Sequence, residues 1–129
     1  MFSAAVKEHF MAAHSFKGDT FGPAQALHGG TFVVTAEFKS DRLTDDSIVI
    51  DIGAAHQILK DTIAPLHFQN LDELPHFEGR NTTTEFLAHY IHSQIAQSVA
   101  QTFSGVLRIV IDESHVAWAA YEAPVGSTP

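Results

Sequence analysis

The sequence contains no cysteine. This absence excludes disulfide bonds, thiolate metal ligands and thiol nucleophiles, and it is typical of cytoplasmic proteins, in which disulfides are rare. The chain also lacks an apolar stretch near the roughly 20 residues that a membrane-spanning helix needs. Charged Lys7 and Glu8 stand where a signal peptide would carry its apolar segment. We therefore expect a cytoplasmic protein with no membrane partner.

Positive charge is scarce as well. The 129 residues include 7 Lys and Arg against 15 Asp and Glu, which gives a net charge of −8 with the histidines neutral. Because this charge is repelled by phosphate groups, we expect no nucleic-acid partner. The apolar fraction of 45% is that of a globular protein, and the length suits a single domain spanning residues 1–129.

The first third of the chain predicts two strands joined by a long loop. Residues 2–14 alternate with a period of two and favour a strand, although their alanine content leaves a helix as the alternative. Residues 29–39 are β-branched and aromatic and give the clearest strand. The loop of residues 15–27 contains two glycines and a proline, and its length suggests a functional loop.

Two helices are predicted next. Residues 53–63 have helical spacing, and Pro65 ends that helix. The sequence Thr82–Glu85 matches a capping box, in which a Thr oxygen caps the helix and the Glu three residues later reaches back. The helix that follows is predicted to reach about Thr102, with a buried stripe of Phe86, Leu87, Tyr90, Ile91, Ile95 and Val99.

The chain ends in a predicted hairpin of residues 106–112 and 116–121, and residues 123–129 are expected to fray. The element order predicts an α+β domain with a four-stranded antiparallel sheet and both helices on one face. Such a sheet has exposed edges, which pairing with another subunit would cover.

Two histidines stand at the ends of the first two strands that face the loop. His14 closes the first strand and His28 opens the second. If these strands pair antiparallel, both imidazoles lie at one mouth of the sheet. Two imidazoles are the beginning of a zinc site, which takes three or four protein ligands.

Other polar residues leave two interpretations open. His67 follows the first helix in a polar loop, so it is a base, a metal ligand or a surface residue. Glu113 lies between two apolar strands and is either an anchor for paired N–H groups of a heterocycle or an exposed turn residue. Glu85, His89 and His92 share one helical face without the HEXXH pattern, which favours a solvated face over a metal site.

Six segments resemble, in order, the 6-pyruvoyl-tetrahydropterin synthase and 6-carboxy-tetrahydropterin synthase family: FMAAHSF, LHGGTFVV, IVIDIG, LHFQNLDELP, NTTTEFLAHYI and VIDESHVAWAAY. The resemblance implies the tunnelling fold, a four-stranded antiparallel sheet with two helices. Subunits of this fold form oligomeric barrels, commonly hexamers of two stacked trimers, with active sites at subunit interfaces. We therefore expect a homo-oligomer.

The resemblance also implies site residues. Zinc in the family is held by histidines that correspond to His14 and His28 and by a third histidine where this chain has Gly30. Ala24 stands in place of the family's catalytic cysteine, and His67-Phe68 replaces its Asp-His pair.

The pterin-binding features are retained. The Thr-Glu pair that opens the second helix corresponds to Thr84-Glu85, and the glutamate that anchors the pterin corresponds to Glu113. We therefore expect a divergent homologue that binds a pterin-like heterocycle and performs zinc-assisted lyase or isomerase chemistry, with His67 as the acid or base. The alternative is a non-catalytic, metal-free module that binds a pterin or purine. A purely structural oligomer is a third possibility.

Overall fold

The chain forms one sheet covered on one face by two helices. The structure is a computed structural model that describes residues 1–126. The strands are β1 (Phe2–His14), β2 (His28–Ser40), β3 (Gln69–Asn70), β4 (Gly105–Asp112) and β5 (Trp118–Val125), and the helices are α1 (Ile52–Ile63) and α2 (Thr84–Val99). The order across the sheet is β3-β1-β2-β4-β5. The predicted α+β class is confirmed.

Strands β1 and β2 form a long antiparallel hairpin, so the strand interpretation of residues 2–14 is correct. Their register runs from Phe2 opposite Ser40 to His14 opposite His28 without interruption. The even-numbered residues of both strands face the helices, and Phe10 and Phe32 stack there with ring centroids 5.0 Å apart. The alternating pattern outweighs the helix propensity of the alanines, because only a strand places this apolar set on one face.

The expected four-stranded, wholly antiparallel sheet needs one correction. A fifth strand, β3, is two residues long and runs parallel to β1, with Gln69 opposite Ala12 and Asn70 opposite Ala13. Two residues carry no periodic signal, so the sequence could not reveal it. The strand forms because the preceding loop is bound to the edge of β1 by a backbone hydrogen bond of 2.7 Å from Phe68 N to Met11 O.

The start of α2 also differs from the prediction. The cap is Thr83, whose hydroxyl accepts a hydrogen bond from Phe86 N at 3.2 Å. The Thr82 side chain bonds to His14 instead, so Thr82 and Glu85 do not form the predicted capping box. The helix ends at Val99 rather than Thr102, because the Thr102 and Phe103 amides turn back to the Val99 carbonyl.

Helix α2 buries most of the predicted stripe. Leu87, Ile91, Ile95 and Val99 are buried, while Phe86 and Tyr90 are half-buried at the edge of the core. Helix α1 begins one residue earlier than predicted, with Asp51 as its cap. None of the helices within residues 1–126 is long and apolar enough to cross a membrane.

The final hairpin is confirmed, but it extends beyond the prediction. Strand β5 runs to Val125, which is buried, so residues 123–125 belong to the sheet and not to a frayed end. Val125 pairs with Gly105, which explains the extra length. The remaining part of that expectation, for residues 127–129, lies outside the described residues.

His92 was expected on a solvated face but is only 5% exposed. It packs edge-on against Tyr121 of β5, with ring centroids 4.9 Å apart, and its Nε2–H donates to the Ala123 carbonyl at 3.3 Å. Glu85 and His89 of this face are exposed as expected, whereas β5 covers the part of the face that carries His92. Burial lowers the pKa of His92 below its ordinary value of 6.5, and the hydrogen bond to Ala123 only partly opposes this effect.

We expect His92 to make the protein less stable in acid. Below about pH 6.5 the unfolded chain protonates this histidine while the folded chain resists protonation, so the free energy of unfolding falls as the pH falls. His92→Gln keeps an N–H donor without the titration and should reduce this slope, by at most about 1.4 kcal/mol per pH unit. Urea unfolding between pH 5 and pH 8, roughly the range in which histidine titrates, measures it. The same slope in wild type and variant would contradict the prediction, and His115→Gln, at an exposed histidine of the β4–β5 turn, is the control.

Candidate functional site

The predicted site residues surround one end of the sheet. Strand β1 ends there at His14, and β2 begins there at His28. Strand β4 runs antiparallel to β2 and ends with Asp112 opposite Val33, so the turn that carries Glu113 points toward the same end, five residues along β2 from His28. Helix α2 begins there as well, because Thr82 contacts His14 just before the helix starts. The topology therefore brings His14, His28 and Thr82 into contact and directs the Glu113 turn toward the same end.

His14 and His28 are in direct contact, as predicted. They are register partners at the end of the hairpin, and their rings meet edge-on with centroids 4.6 Å apart. Phe16 packs against both rings, at 4.6 Å from His14 and 5.6 Å from His28. His14 is only 4% exposed, whereas His28 is half-buried. Any ligand therefore reaches His28 more readily than His14.

Each imidazole is oriented through its Nδ1 atom. His28 Nδ1–H donates to the Ala26 carbonyl at 2.9 Å, which leaves the Nε2 lone pair free to accept a proton or bind a metal. His14 Nδ1 lies 3.1 Å from the Thr82 hydroxyl. When this ring nitrogen donates, its Nε2 lone pair is also free.

The environment keeps His14 neutral. Burial is the main cause that lowers the pKa of His14 below its ordinary value of 6.5, and repulsion from a charged His28 adds to it. The hydrogen bond to Thr82 and the carboxylate of Asp72 oppose this effect. A neutral imidazole is the form that binds metals and accepts protons.

The described residues do not complete a zinc site. Within residues 1–126 there is no group of three His, Cys, Asp or Glu arranged to hold a metal ion. His14 and His28 supply two imidazoles, fewer than the three protein ligands that zinc sites contain. The residues of one chain therefore fit zinc incompletely.

His67 lies apart from the histidine pair. Its Nδ1 accepts a hydrogen bond of 3.0 Å from Met11 N on the edge of β1. A backbone amide can only donate, so Nδ1 is unprotonated and a neutral His67 carries its proton on Nε2. In this position Nε2–H can donate a hydrogen bond to a ligand, but a neutral imidazole does not release that proton near neutral pH. Protonation at Nδ1, which would make the ring an acid, would break its bond to Met11. The catalytic role of His67 stays a prediction.

The predicted heterocycle-binding residues lie on the rim of this end. Thr84 is buried in the first turn of α2, and its neighbour Glu85 is exposed. Glu113 is exposed in the β4–β5 turn, where its amide donates to the Ala117 carbonyl at 3.1 Å. Glu113 is therefore exposed in the turn of the single chain, and its role as an anchor for a heterocycle stays a prediction.

The loop of residues 15–27 folds back over the same end. A hydrogen bond of 3.1 Å joins Phe16 N to the Ala24 carbonyl, and residues Asp19–Gln25 form a distorted 3-10 turn. Ala24 therefore lies close in the fold to Phe16, which covers the two histidines. The methyl side chain of Ala24 cannot transfer protons.

Sequence and structure comparisons identify the family. The family model for 6-pyruvoyl tetrahydropterin synthase matches residues 3–124. The chain belongs to the 6-pyruvoyl tetrahydropterin synthase family. A comparison with curated proteins gives no match.

Solved structures of 6-pyruvoyl tetrahydropterin synthases share the fold. The enzyme from Caenorhabditis elegans is 17% identical with a TM-score of 0.82, and the match covers 95% of each chain. The Plasmodium vivax enzyme is 15% identical with a TM-score of 0.76, covering 97% of this chain and 100% of the other. The Plasmodium falciparum enzyme is 18% identical with a TM-score of 0.74, covering 95% and 99%. At these identities the likeness supports the fold alone.

Two site residues were missed by the sequence analysis. Thr82 holds His14 in place, and Phe16 packs over both imidazoles. The run of three threonines before α2 was a usable signal for Thr82, since only one of them can be the cap and the others are free for other contacts. Nothing in the sequence indicated the position of Phe16, because it depends on how the loop folds back.

We expect Gly30→His to complete a zinc site, because it restores the third histidine that the family resemblance implies at this position. Gly30 is two residues from His28 on the same face of β2, and a Cβ there would lie 3.9 Å from Phe32 Cε2, an ordinary contact. The variant should bind about one zinc per chain, because it supplies a third imidazole. Elemental analysis after dialysis measures this.

Gly29→His is the matched control. Its Cβ would lie 3.8 Å from the Ala12 carbonyl, also an ordinary contact, but alternation points the side chain to the opposite face of the sheet. Equal zinc content in both variants would show that the histidine pair does not organise the metal.

Proposed function

We propose that this protein binds a pterin-like heterocycle at the end of the sheet where His14, His28 and Glu113 are found, and that it does not perform the standard synthase reaction. Family membership supports a pterin-related function. The observation that carries the proposal is the contact between His14 and His28, with the His28 Nε2 lone pair free at this end. Ala24 and Phe68, where the resemblance implies Cys and His, argue against standard chemistry.

Glu113 is the proposed anchor of the ring. A carboxylate can accept two parallel hydrogen bonds from the ring and amino N–H groups of a pterin or purine. Glu113 is exposed in the single chain, which suits a site that a neighbouring subunit completes. We therefore include in this proposal a homo-oligomeric barrel of two stacked trimers. Thr84 and Glu85 at the start of α2 are proposed to line the same site. We propose a small-molecule ligand and a cytoplasmic location.

His28 is the proposed proton acceptor. Its Nε2 lone pair is free because Nδ1–H is bound to Ala26, and the ring is the more accessible member of the pair. His67 can donate a hydrogen bond from Nε2 to the ring while it remains bound to Met11. His28 would take a proton from one position of the bound ring and return it at another, which is an isomerisation with no net proton change.

We expect Glu113→Gln to weaken pterin binding about 10- to 100-fold, because it replaces a charge-assisted pair of hydrogen bonds with a neutral one. Isothermal titration with neopterin measures this. Exposed Glu78→Gln is the matched control and should bind like wild type. Unchanged affinity in Glu113→Gln would contradict the anchor, and turnover of dihydroneopterin triphosphate would contradict the loss of synthase chemistry.

A zinc-assisted lyase or isomerase is the second candidate. It is favoured by the hydrogen bond from His28 Nδ1 to the Ala26 carbonyl, an arrangement that is typical of metal-binding histidines. In this case a third ligand would come from the bound molecule or from another subunit. Elemental analysis of the purified oligomer, with His28→Ala as the control, tests it. Zinc that is near stoichiometric and lost in the control supports this candidate, and its absence after addition of zinc supports the metal-free module.

A further inference from the structure

A groove of about 580 Å³, which we call the distal groove, lies at the end of the sheet opposite to the histidine pair. It is bordered by the start of β1 at Phe2, the loop that follows β2, and the first turn of α1. Along β1, Phe2 is roughly 40 Å from His14 at the usual rise of a strand. The distal groove shares no residue with the proposed pterin site, and its volume is within the roughly 300–1,000 Å³ range of small-molecule sites.

The walls of the distal groove are apolar and exposed. Val49 and Ile50 form its floor, since both are half-buried and pack against the core. Apolar side chains grouped in this way, with polar residues at the rim, mark an interaction site. The walls are formed by four side chains that are each 40% to 56% exposed: Phe2, Leu43, Ile48 and Ile52.

A closed turn fixes the position of Ile48. The Thr44 amide donates to the Ile48 carbonyl at 2.8 Å, and the Ser47 amide donates to the Thr44 carbonyl at the same distance. The Thr44 hydroxyl accepts from the amides of Asp46 and Ile48 at 3.3 Å and 3.4 Å. These bonds hold Ser47 at a φ of 65°, in the left-handed region that residues other than glycine rarely adopt. This wall of the groove is therefore formed before a ligand binds.

The rim of the distal groove is acidic. Residues 41–51 contain four aspartates and one arginine, so the segment has a net charge of −3. Asp51 lines the groove, and Asp45 and Asp46 belong to the turn beside Ile48. All three aspartates are exposed. A cationic group at the rim would therefore gain ionic partners, whereas an anionic group would be repelled.

The start of α1 does not offset this acidic rim. A helix N-terminus attracts anions, but Asp51 already occupies that position here. Its carboxylate accepts from the Ala54 amide at 3.2 Å, and its carbonyl accepts from the Ala55 amide at 2.9 Å. The positive end of the helix is therefore paired within the chain, and the charges of Asp45 and Asp46 remain for a ligand.

The same charge argues against a second copy of the chain in the distal groove. Each copy has a net charge of −8, so its surface would approach the acidic rim with charge of the same sign. A positively charged molecule with an apolar chain or ring suits both features of the groove. Its apolar part leaves water along the walls, and its charge stays hydrated at the rim.

We infer that the distal groove is a binding site for a small amphipathic amine. The apolar part of the amine lies between Phe2, Ile48 and Ile52, and its ammonium group lies beside Asp45 and Asp46. This inference does not depend on the proposed pterin site, because the two sites share no residue.

Three probes with the same apolar part, 4-phenylbutylamine, 4-phenylbutanol and 4-phenylbutyrate, separate apolar contact from charge. The full-length oligomer is titrated with each probe at low salt. Binding is followed by the methyl NMR signals of Ile48, Ile50 and Ile52, with buried Ile109 as the internal reference. The amine should shift the three groove signals and bind about three- to five-fold more tightly than the alcohol, and the butyrate should bind more weakly still. No binding of the amine, equal affinity for amine and butyrate, or shifts located elsewhere would overturn the inference.

A double variant at the rim tests the role of charge. Asp45→Asn combined with Asp46→Asn should remove most of the preference for the amine and leave the affinity for the alcohol unchanged. The turn should persist, because the Thr44 hydroxyl binds the amide of Asp46 and not its carboxylate, and asparagine suits turns. Exposed Glu78→Gln is the matched control. A full preference for the amine in the double variant would overturn the inference.

Ile52→Ala tests the apolar wall. It should weaken the binding of amine and alcohol alike by about five-fold, because apolar contact area is lost. Alanine is a good helix former, so α1 should keep its first turn. Val116→Ala, at an exposed residue of the β4–β5 turn, is the control. Unchanged binding in Ile52→Ala would overturn the inference, and so would a changed mass of the oligomer, which would assign the groove to a second copy.

The two sites can fail separately. Glu113→Gln should bind 4-phenylbutylamine like wild type, and saturating neopterin should not displace the amine. Loss of pterin binding alone would therefore overturn only the proposed function. Displacement of the amine by neopterin would show that the two ligands share one site, and the inference would be wrong.

Discussion

The pairing of β1 with β2 is the constraint on which the rest of the structure depends. The register is continuous from Phe2–Ser40 to His14–His28. Because side chains alternate along a strand, a slip of one strand by one residue would move either Phe10 and His14 or Phe32 and His28 to the helix-free face. The stacked phenylalanines oppose such a slip, since their burial under the helices is lost with it. The same register therefore fixes both the core and the histidine pair.

The hairpin also explains which features could be predicted from the sequence. His14 and His28 were found because local alternation and a loop define where two adjacent strands meet. The helices and the final hairpin were found for the same reason. The burial of His92, the position of Phe16 and the existence of β3 could not be found this way, because each depends on a neighbour distant in the sequence. Residue 92 contacts β5, and β3 depends on the contact of His67 and Phe68 with Met11.

The start of α2 shows how one local pattern can hide a distant contact. Three consecutive threonines offer equivalent caps, and local rules cannot choose among them. The choice of Thr83 leaves the Thr82 hydroxyl for His14, and Thr84 becomes buried in the first turn. Because Thr83 and not Thr82 caps the helix, Thr82 can connect the start of α2 to His14. Gly30 and Phe68, two of the positions where the resemblance implies other residues, are also neighbours in the fold, because both line one groove beside this end of the sheet.

The strand order has a consequence for the way the chain reaches this structure. Strands β1 and β2 are close in the sequence, as are β4 and β5, so each hairpin can form from local contacts. The joining of β2 to β4 is different, because all of residues 41–104, including both helices, lie between them. Closing so long a loop is slow relative to hairpin formation. The two hairpins are therefore expected to form first, the histidine pair within the β1–β2 hairpin, and the Glu113 turn reaches this end of the sheet only when the hairpins dock.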